Sequence, residues 1–234
     1  MIKIWNDTTK TPLQLMGVAA GTCWNGNIED IEKNINRAND CIESNHGRVF
    51  EWPDVYCTID KYSAKVMREL YTHIGGSPSR LQASTRYIDY EKGFETVLPK
   101  SVEKNNGATE VWYETIHHIK NGMSKLKALG VPKEDYTNLL PLAYESKMVW
   151  KINLRSLVNF MNKRLCARAL WEIRNLANEL KTQLSEYSPE WKDIADKLFV
   201  PQCEIYKSQN PKLVFCPESK GCGRYKNIKD FIVE

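Results

Sequence analysis

The sequence predicts a mixed fold of helices and short strands. Strand-like apolar runs of a few residues, such as VYCTI, alternate with longer segments whose apolar residues recur at helical spacing. The longest of these, Asn153 to Leu184, keeps that spacing with neither Gly nor Pro. A composition of 42% hydrophobic and 26% charged residues over 234 positions supplies a core for one domain, or for one domain with a small appendage.

Taken in order, IKIWND and LQLMGVAA have strand character, and a turn-rich GTCWNGN follows. Ile28, Ile31, Ile35, Ala38 and Ile42 then mark a helix from Ile28 to Ile42. Val55 to Ile59 reads as a short strand. Ser63 caps a helical run through Val66, Leu70 and Tyr71, because its hydroxyl can accept an orphan N–H of the first turn. Val111 to Leu129 is helical and stops at Gly130, with Pro132 beyond. Lys147 to Ile152 is a strand. Asn153 is the expected N-cap of one long buried helix to Leu184, followed by a helix from Pro189 to Leu198 and a tail holding three cysteines.

Composition narrows the function classes. The net charge of +4 suits anionic ligands but falls short of the clustered basicity of a dedicated nucleic-acid binder, so no nucleic-acid partner is expected. No apolar run is long enough to span a bilayer, and MIKIWNDTTK lacks a signal-peptide core, which predicts a cytoplasmic protein with no membrane partner. Seven cysteines, at 23, 41, 57, 166, 203, 216 and 222, argue against a secreted disulfide framework and for reduced thiols.

Two places concentrate chemistry. The stretch THIGGSPSRLQASTRYIDY, Thr72 to Tyr90, offers Ser77, Ser79, Arg80, Gln82, Ser84, Thr85 and Arg86 as donors beside glycines that let a ligand approach the backbone. It is either a solvated turn or a grip on something charged, and by composition alone the turn is the better reading. On a helical wheel Arg164 falls between Leu157 and Phe160, which puts a permanent cation inside an apolar arc. An unpartnered buried charge is costly, so Arg164 serves either an internal ion pair or a ligand. The neighbouring Arg168 has Glu172 four residues on as a helical partner. Cys203, Cys216 and Cys222 form no CxxC pair and show no fourth ligand, so no metal is expected. His117 and His118 diverge by about 100° on a helix and cannot readily chelate together.

Two segments together resemble the flavin-dependent thymidylate synthases. LQASTRY, Leu81 to Tyr87, looks like the end of that family's signature. GVPKEDYTNLLPLAYESKMVWKINLRSLVNFMNKRLCARALWEIRNLA, Gly130 to Ala177, is similar almost throughout to the family's C-terminal half. The likeness covers Leu15 to Leu198, which divides the chain into a family-like domain, residues 1–200, and a cysteine-containing tail, residues 201–234. It implies an α+β fold with a central, mostly antiparallel sheet and long helices, assembled as a homotetramer with sites between subunits. It also implies reductive methylation of dUMP to dTMP, with methylenetetrahydrofolate giving the carbon, FAD carrying the hydride and NAD(P)H as reductant.

Carried over by residue, Arg164 matches the arginine that holds the uracil ring and stabilises its charge. Ser84, Thr85 and Arg86 match the dUMP-phosphate grip, Gln82 stands where the family usually has Glu, and Glu69 matches a glutamine near the nucleotide. Asn153, Arg155 and Asn159 match flavin-contacting positions. The family's Arg-His-Arg is represented by Thr72-His73-Ile74, which keeps only His73 for the flavin. The loop gains Gly75-Gly76 and a new cation, Arg80, while Arg48 and Phe50-Glu51 stand near a shortened flavin-binding segment. Thr137 occupies the place of a nucleotide-binding arginine, and Arg168 replaces a histidine associated with folate stacking. Arg80 and Arg168 are therefore candidates for folate or phosphate. These departures leave open a relative making another 5-substituted pyrimidine nucleotide, such as a hydroxymethyl derivative, or a non-catalytic nucleotide- or nucleic-acid-binding homologue.

Overall fold

The computed structural model describes residues 1–75, 78–90, 93–212 and 214–231. Gly76 and Ser77 of the polar loop lie outside the described residues. Strand β1 (Ile2–Ile4) is followed by helix α1 (Pro12–Thr22), where LQLMGVAA predicts a strand. A short apolar run does not distinguish strand from helix by periodicity, and here tertiary contacts decide. Pro12 fits the first turn, where its missing N–H costs nothing. The N–H groups of Leu13 and Gln14 are taken by Glu190 Oε2 at 2.7 and 3.2 Å. Gly17 lies so close to Asn34 that a Cβ would stand 1.9 Å from its carbonyl oxygen, so α1 meets its neighbour backbone to backbone.

That neighbour, α2 (Ile31–Glu43), begins later than the expected Ile28 because Asp30 caps it, accepting from Lys33 N at 3.0 Å. Ile28 instead uses its carbonyl to accept Asn34 Nδ2 at 2.7 Å. A 3-10 turn (Gly47–Glu51) leads into β2 (Asp54–Ser63), whose alternating Val55, Cys57 and Ile59 are fully buried. Ser63 caps α3 (Ala64–Leu70) as expected, accepting from Val66 N at 3.3 Å. Then come β3 (Ser79–Gln82), α4 (Lys100–Glu103) and α5 (Asn106–Ala128). The last ends before Gly130, whose φ of +82° requires glycine. Next are α6 (Lys133–Tyr136), a 3-10 turn (Thr137–Leu139) and β4 (Glu145–Asn153).

The expected single helix from Asn153 to Leu184 is two helices, α7 (Leu154–Arg164) and α8 (Trp171–Tyr187). Between them the chain turns: Ala169 N–H donates to the Cys166 carbonyl at 3.0 Å, Arg168 N–H to Cys166 Sγ at 3.5 Å, and Leu170 is extended at ψ 134°. Each helix buries its own apolar face, Leu154, Leu157, Phe160 and Met161 on α7 and Ile173, Leu176, Leu180 and Leu184 on α8. An apolar period that runs on through a turn gives no sign of the turn. Arg168 lies in that turn, so the helical spacing expected to pair it with Glu172 does not exist. The chain ends with α9 (Pro189–Leu198), α10 (Gln202–Gln209), a helix within the expected tail, and a 3-10 turn (Ile228–Asp230).

The fold is α+β, with a small antiparallel sheet in the order β1-β2-β4-β3. Two compact units can be distinguished. One comprises Met1–Thr58, His73–Arg80 and Trp150–Glu234, with α8 packed on α9 and β1. The other comprises Ile59–Thr72 and Leu81–Val149, with a core of Ala64, Tyr90, Phe94, Ile116, Met123 and Tyr144.

Candidate functional site

In the first unit the wheel position of Arg164 is realised at the end of α7. Leu157 and Phe160 are fully buried beside it, and Arg164 itself is half-buried. Its Nε donates to His73 Nε2 at 2.9 Å. The His73 ring meets Phe160 edge-on, with centroids 5.1 Å apart at 80°, and Phe160 meets Trp150 likewise at 5.3 Å. Arg80 donates to the His73 carbonyl. Burial first, then the charges of Arg164 and Arg80, push the His73 pKa down to about 4. At neutral pH the imidazole is uncharged, its proton is on Nδ1 and its Nε2 lone pair faces Arg164. A neutral histidine thus orients one guanidinium with its ring and a second with its backbone.

The start of α7 is anchored to the same loop. Asn153 caps the helix as expected, Oδ1 accepting from Ser156 N at 3.0 Å, and Ser156 Oγ donates to the Gly75 carbonyl at 2.5 Å. Sequence reasoning does not single out that serine, since a buried helix serine carries no sequence signal of its partner. Beside Ser156 in α7, Arg155 pairs with Glu51 at 2.5 Å and Arg48 with the same carboxylate at 3.8 Å. Both arginines are exposed, as is Asn159. Arg48 also lines a cavity of about 620 Å³ together with Leu15, Val18, Trp24, His46 and Trp52. One exposed guanidinium, that of Arg48, on the wall of an apolar, aromatic-lined cavity fits a flat ligand carrying negative charge.

In the second unit, Gln82 Nε2 donates to Ser146 Oγ at 3.2 Å. Ser84 forms a tight turn, its Oγ accepting from Arg86 N at 3.2 Å and its carbonyl from Ile88 N at 3.1 Å. Thr85 is half-buried next to it. Arg86 is exposed and pairs with Glu134 at 3.1 Å, a partner that only the fold reveals. Glu69 is half-buried in α3 and its carbonyl accepts from Thr72 Oγ1 at 2.7 Å. Thr137 is buried, with Oγ1 donating to the Lys133 carbonyl at 2.9 Å, so its hydroxyl is spent on closing a helical turn. The structure therefore joins His73, Arg80 and Arg164 in one cluster, joins Arg48 and Arg155 through Glu51, and sets Arg168 in the exposed turn after α7.

A family model described as thymidylate synthase complementing protein matches residues 6–190. The flavin-dependent thymidylate synthase of Clostridium tetani is 25% identical over 247 residues, covering 94% of this chain and 92% of its own. That of Nitratidesulfovibrio vulgaris is 30% identical over 197 residues, covering 79% and 74%. That of Pyrococcus horikoshii is 27% identical over 255 residues, covering 97% of each. Among solved structures, the crystal structure of a UMP/dUMP methylase, PolB from Streptomyces cacaoi, bound with 5-Br dUMP, superposes with a TM-score of 0.70 over 86% of this chain and 96% of that one. At 16% identity this likeness is one of fold.

Proposed function

Since the chain belongs to the flavin-dependent thymidylate synthase family, we propose that it catalyses the reductive methylation of dUMP to dTMP. The observation that carries this reading is the family match over residues 6–190. The fold neighbour's bound uracil nucleotide supports dUMP as the substrate. FAD, when bound, carries a hydride supplied by NADPH, and methylenetetrahydrofolate provides the carbon. The working form is a cytoplasmic homotetramer with sites between subunits.

Arg164 is the residue we assign to catalysis. Its guanidinium, oriented by neutral His73, stabilises the negative charge that develops on the uracil ring as carbon 5 becomes nucleophilic. A half-buried setting strengthens that field relative to water. Ser84, Thr85 and Arg86 take the nucleotide phosphate, with Arg86 exchanging Glu134 for the stronger, doubly charged partner. Gln82 and Glu69 contact the rest of dUMP. Arg48 and Arg155 take the flavin phosphates, with His73, Asn153 and Asn159 beside them. Because Asn153 spends its oxygen on the cap, its amide nitrogen is the group it offers. Arg80 and Arg168 serve folate or phosphate.

The test is anaerobic incubation of the purified protein with dUMP, FAD, methylenetetrahydrofolate and NADPH, with the nucleotide product read by mass spectrometry. The expected product is dTMP. A flavin-loaded protein that leaves dUMP unchanged refutes the reading. Thr72 and Ile74, in place of the signature arginines, favour one second reading, a different 5-substituted product such as a hydroxymethyl derivative, which the same mass measurement distinguishes.

A further inference from the structure

Four of the seven cysteines line one cavity of about 240 Å³. Cys166 comes from the turn between α7 and α8, Cys203 from the first turn of α10, and Cys216 and Cys222 from the C-terminal segment. Three of them lie beyond the residues matched by the family model. Arg174 and Arg224 line the same cavity. All four are thiols.

Backbone hydrogen bonds fold the C-terminal segment back on Cys216. Cys216 N–H donates to the Lys226 carbonyl at 2.7 Å and its carbonyl accepts from Ile228 N at 3.2 Å, which closes a loop over residues 216–228. Asn227 Nδ2 ties the Glu218 carbonyl into that loop. Gly221 passes against Cys216, with the place of a Cβ 3.6 Å from its Sγ. Cys166 Sγ already accepts the Arg168 N–H at 3.5 Å, a contact of the kind that supports a metal-bound thiolate. Cys203 stands within electrostatic reach of Cys166, and Arg224 within reach of Cys203 and Cys222.

We propose that this cavity is a structural site for a thiophilic divalent cation of the zinc class, with Cys166, Cys203, Cys216 and Cys222 as its four ligands. Four thiolates select such an ion over magnesium or calcium, which take oxygen. The resulting centre carries two net negative charges; Arg174 on the cavity wall offsets part of them, while Arg224, on the same wall, is already paired with Glu204 at 2.9 Å and Glu218 lines the cavity too. Among the described residues no three candidate ligands already stand together as a metal cluster. The ion therefore draws the side chains inward across the cavity, and binding is coupled to closure of the C-terminal segment on the turn that follows Arg164.

The experiment uses the full-length protein, stripped with a chelator under reductant, and titrated with Co²⁺ and then Zn²⁺. One equivalent of Co²⁺ should produce thiolate-to-cobalt charge transfer and the intense visible bands of a tetrahedral ion, and Zn²⁺ should bleach both. Cys222→Ser, at an exposed position, and Cys216→Ser should each weaken binding at least roughly tenfold. Cys23→Ser, exposed and outside the cavity, should leave it unchanged. Absence of charge transfer in the wild type, or full affinity retained in both variants, overturns the assignment. Neither result bears on whether dTMP is made.

Discussion

Lowering the pH from 7 to about 4 should put a charge on His73 where two guanidiniums already sit. In the folded chain its pKa is depressed to about 4 from the ordinary 6.5, by burial and then by Arg164 and Arg80. Between those values the unfolded chain binds the proton and the folded chain does not. The stabilisation is therefore complete above about pH 6.5 and is lost progressively as the pH falls towards 4. At 1.36 kcal/mol per tenfold change in proton affinity, the ceiling is about 3 kcal/mol. The ring is only half-buried, and solvent screening reduces this to about 1–2 kcal/mol. The assay is urea unfolding followed by Trp fluorescence at several pH values, in the wild type and in His73→Asn, whose amide oxygen can still accept from Arg164 but does not titrate. The stability difference between the two should shift against the wild type by about 1–2 kcal/mol across that range. Parallel pH curves for the two proteins would show that His73 titrates normally, and the reasoning about its neutral form would fail.

Three further outcomes follow from named contacts. Arg164→Ala should lower turnover by about 10²–10³-fold, because the group acts on developing charge; a variant that keeps full turnover removes Arg164 from the chemistry. Asn153→Ala deletes the cap of α7 and should cost about 1 kcal/mol, read as a lower urea midpoint, whereas an unchanged midpoint would mean that water replaces the cap freely. Two glycines should respond with opposite sign. Gly17→Ala drives a Cβ into Asn34 and should destabilise by about 1–3 kcal/mol. Gly122→Ala, inside α5 with its nearest neighbour, Leu139, at 3.7 Å, should stabilise by about 0.5–1 kcal/mol. Thermal melts of both variants check this, and a loss of stability in Gly122→Ala would contradict the helix-interior argument.

The wheel position of Arg164 is legible in the sequence, because one α-helical segment sets the angular relation of Leu157, Phe160 and Arg164 whatever surrounds it. Its receptor is not. His73 lies far away in sequence within a loop of mixed composition, and no local rule brings the two side chains together. Arg86 and Arg155 are visible as cations, but Glu134 and Glu51, which hold them, are ordinary surface acids until the chain is folded. The split of α7 from α8 leaves no mark in the sequence pattern, because hydrophobic period reports which residues are buried, not whether the chain bends between them.

Local chemistry is therefore enough for the caps at Ser63 and Asn153, the helix stop at Gly130, the cation on the apolar arc of α7 and, through LQASTRY and the Gly130 to Ala177 segment, the family. These depend on interactions within a few residues, or on motifs whose spacing is itself the signal. Only the tertiary structure made α1 a helix, oriented Arg164 on a neutral imidazole and brought Cys166 to the same cavity as Cys203, Cys216 and Cys222. Each of those results depends on groups distant in the chain sharing a desolvated space, where packing and charge act through distance and not through sequence separation.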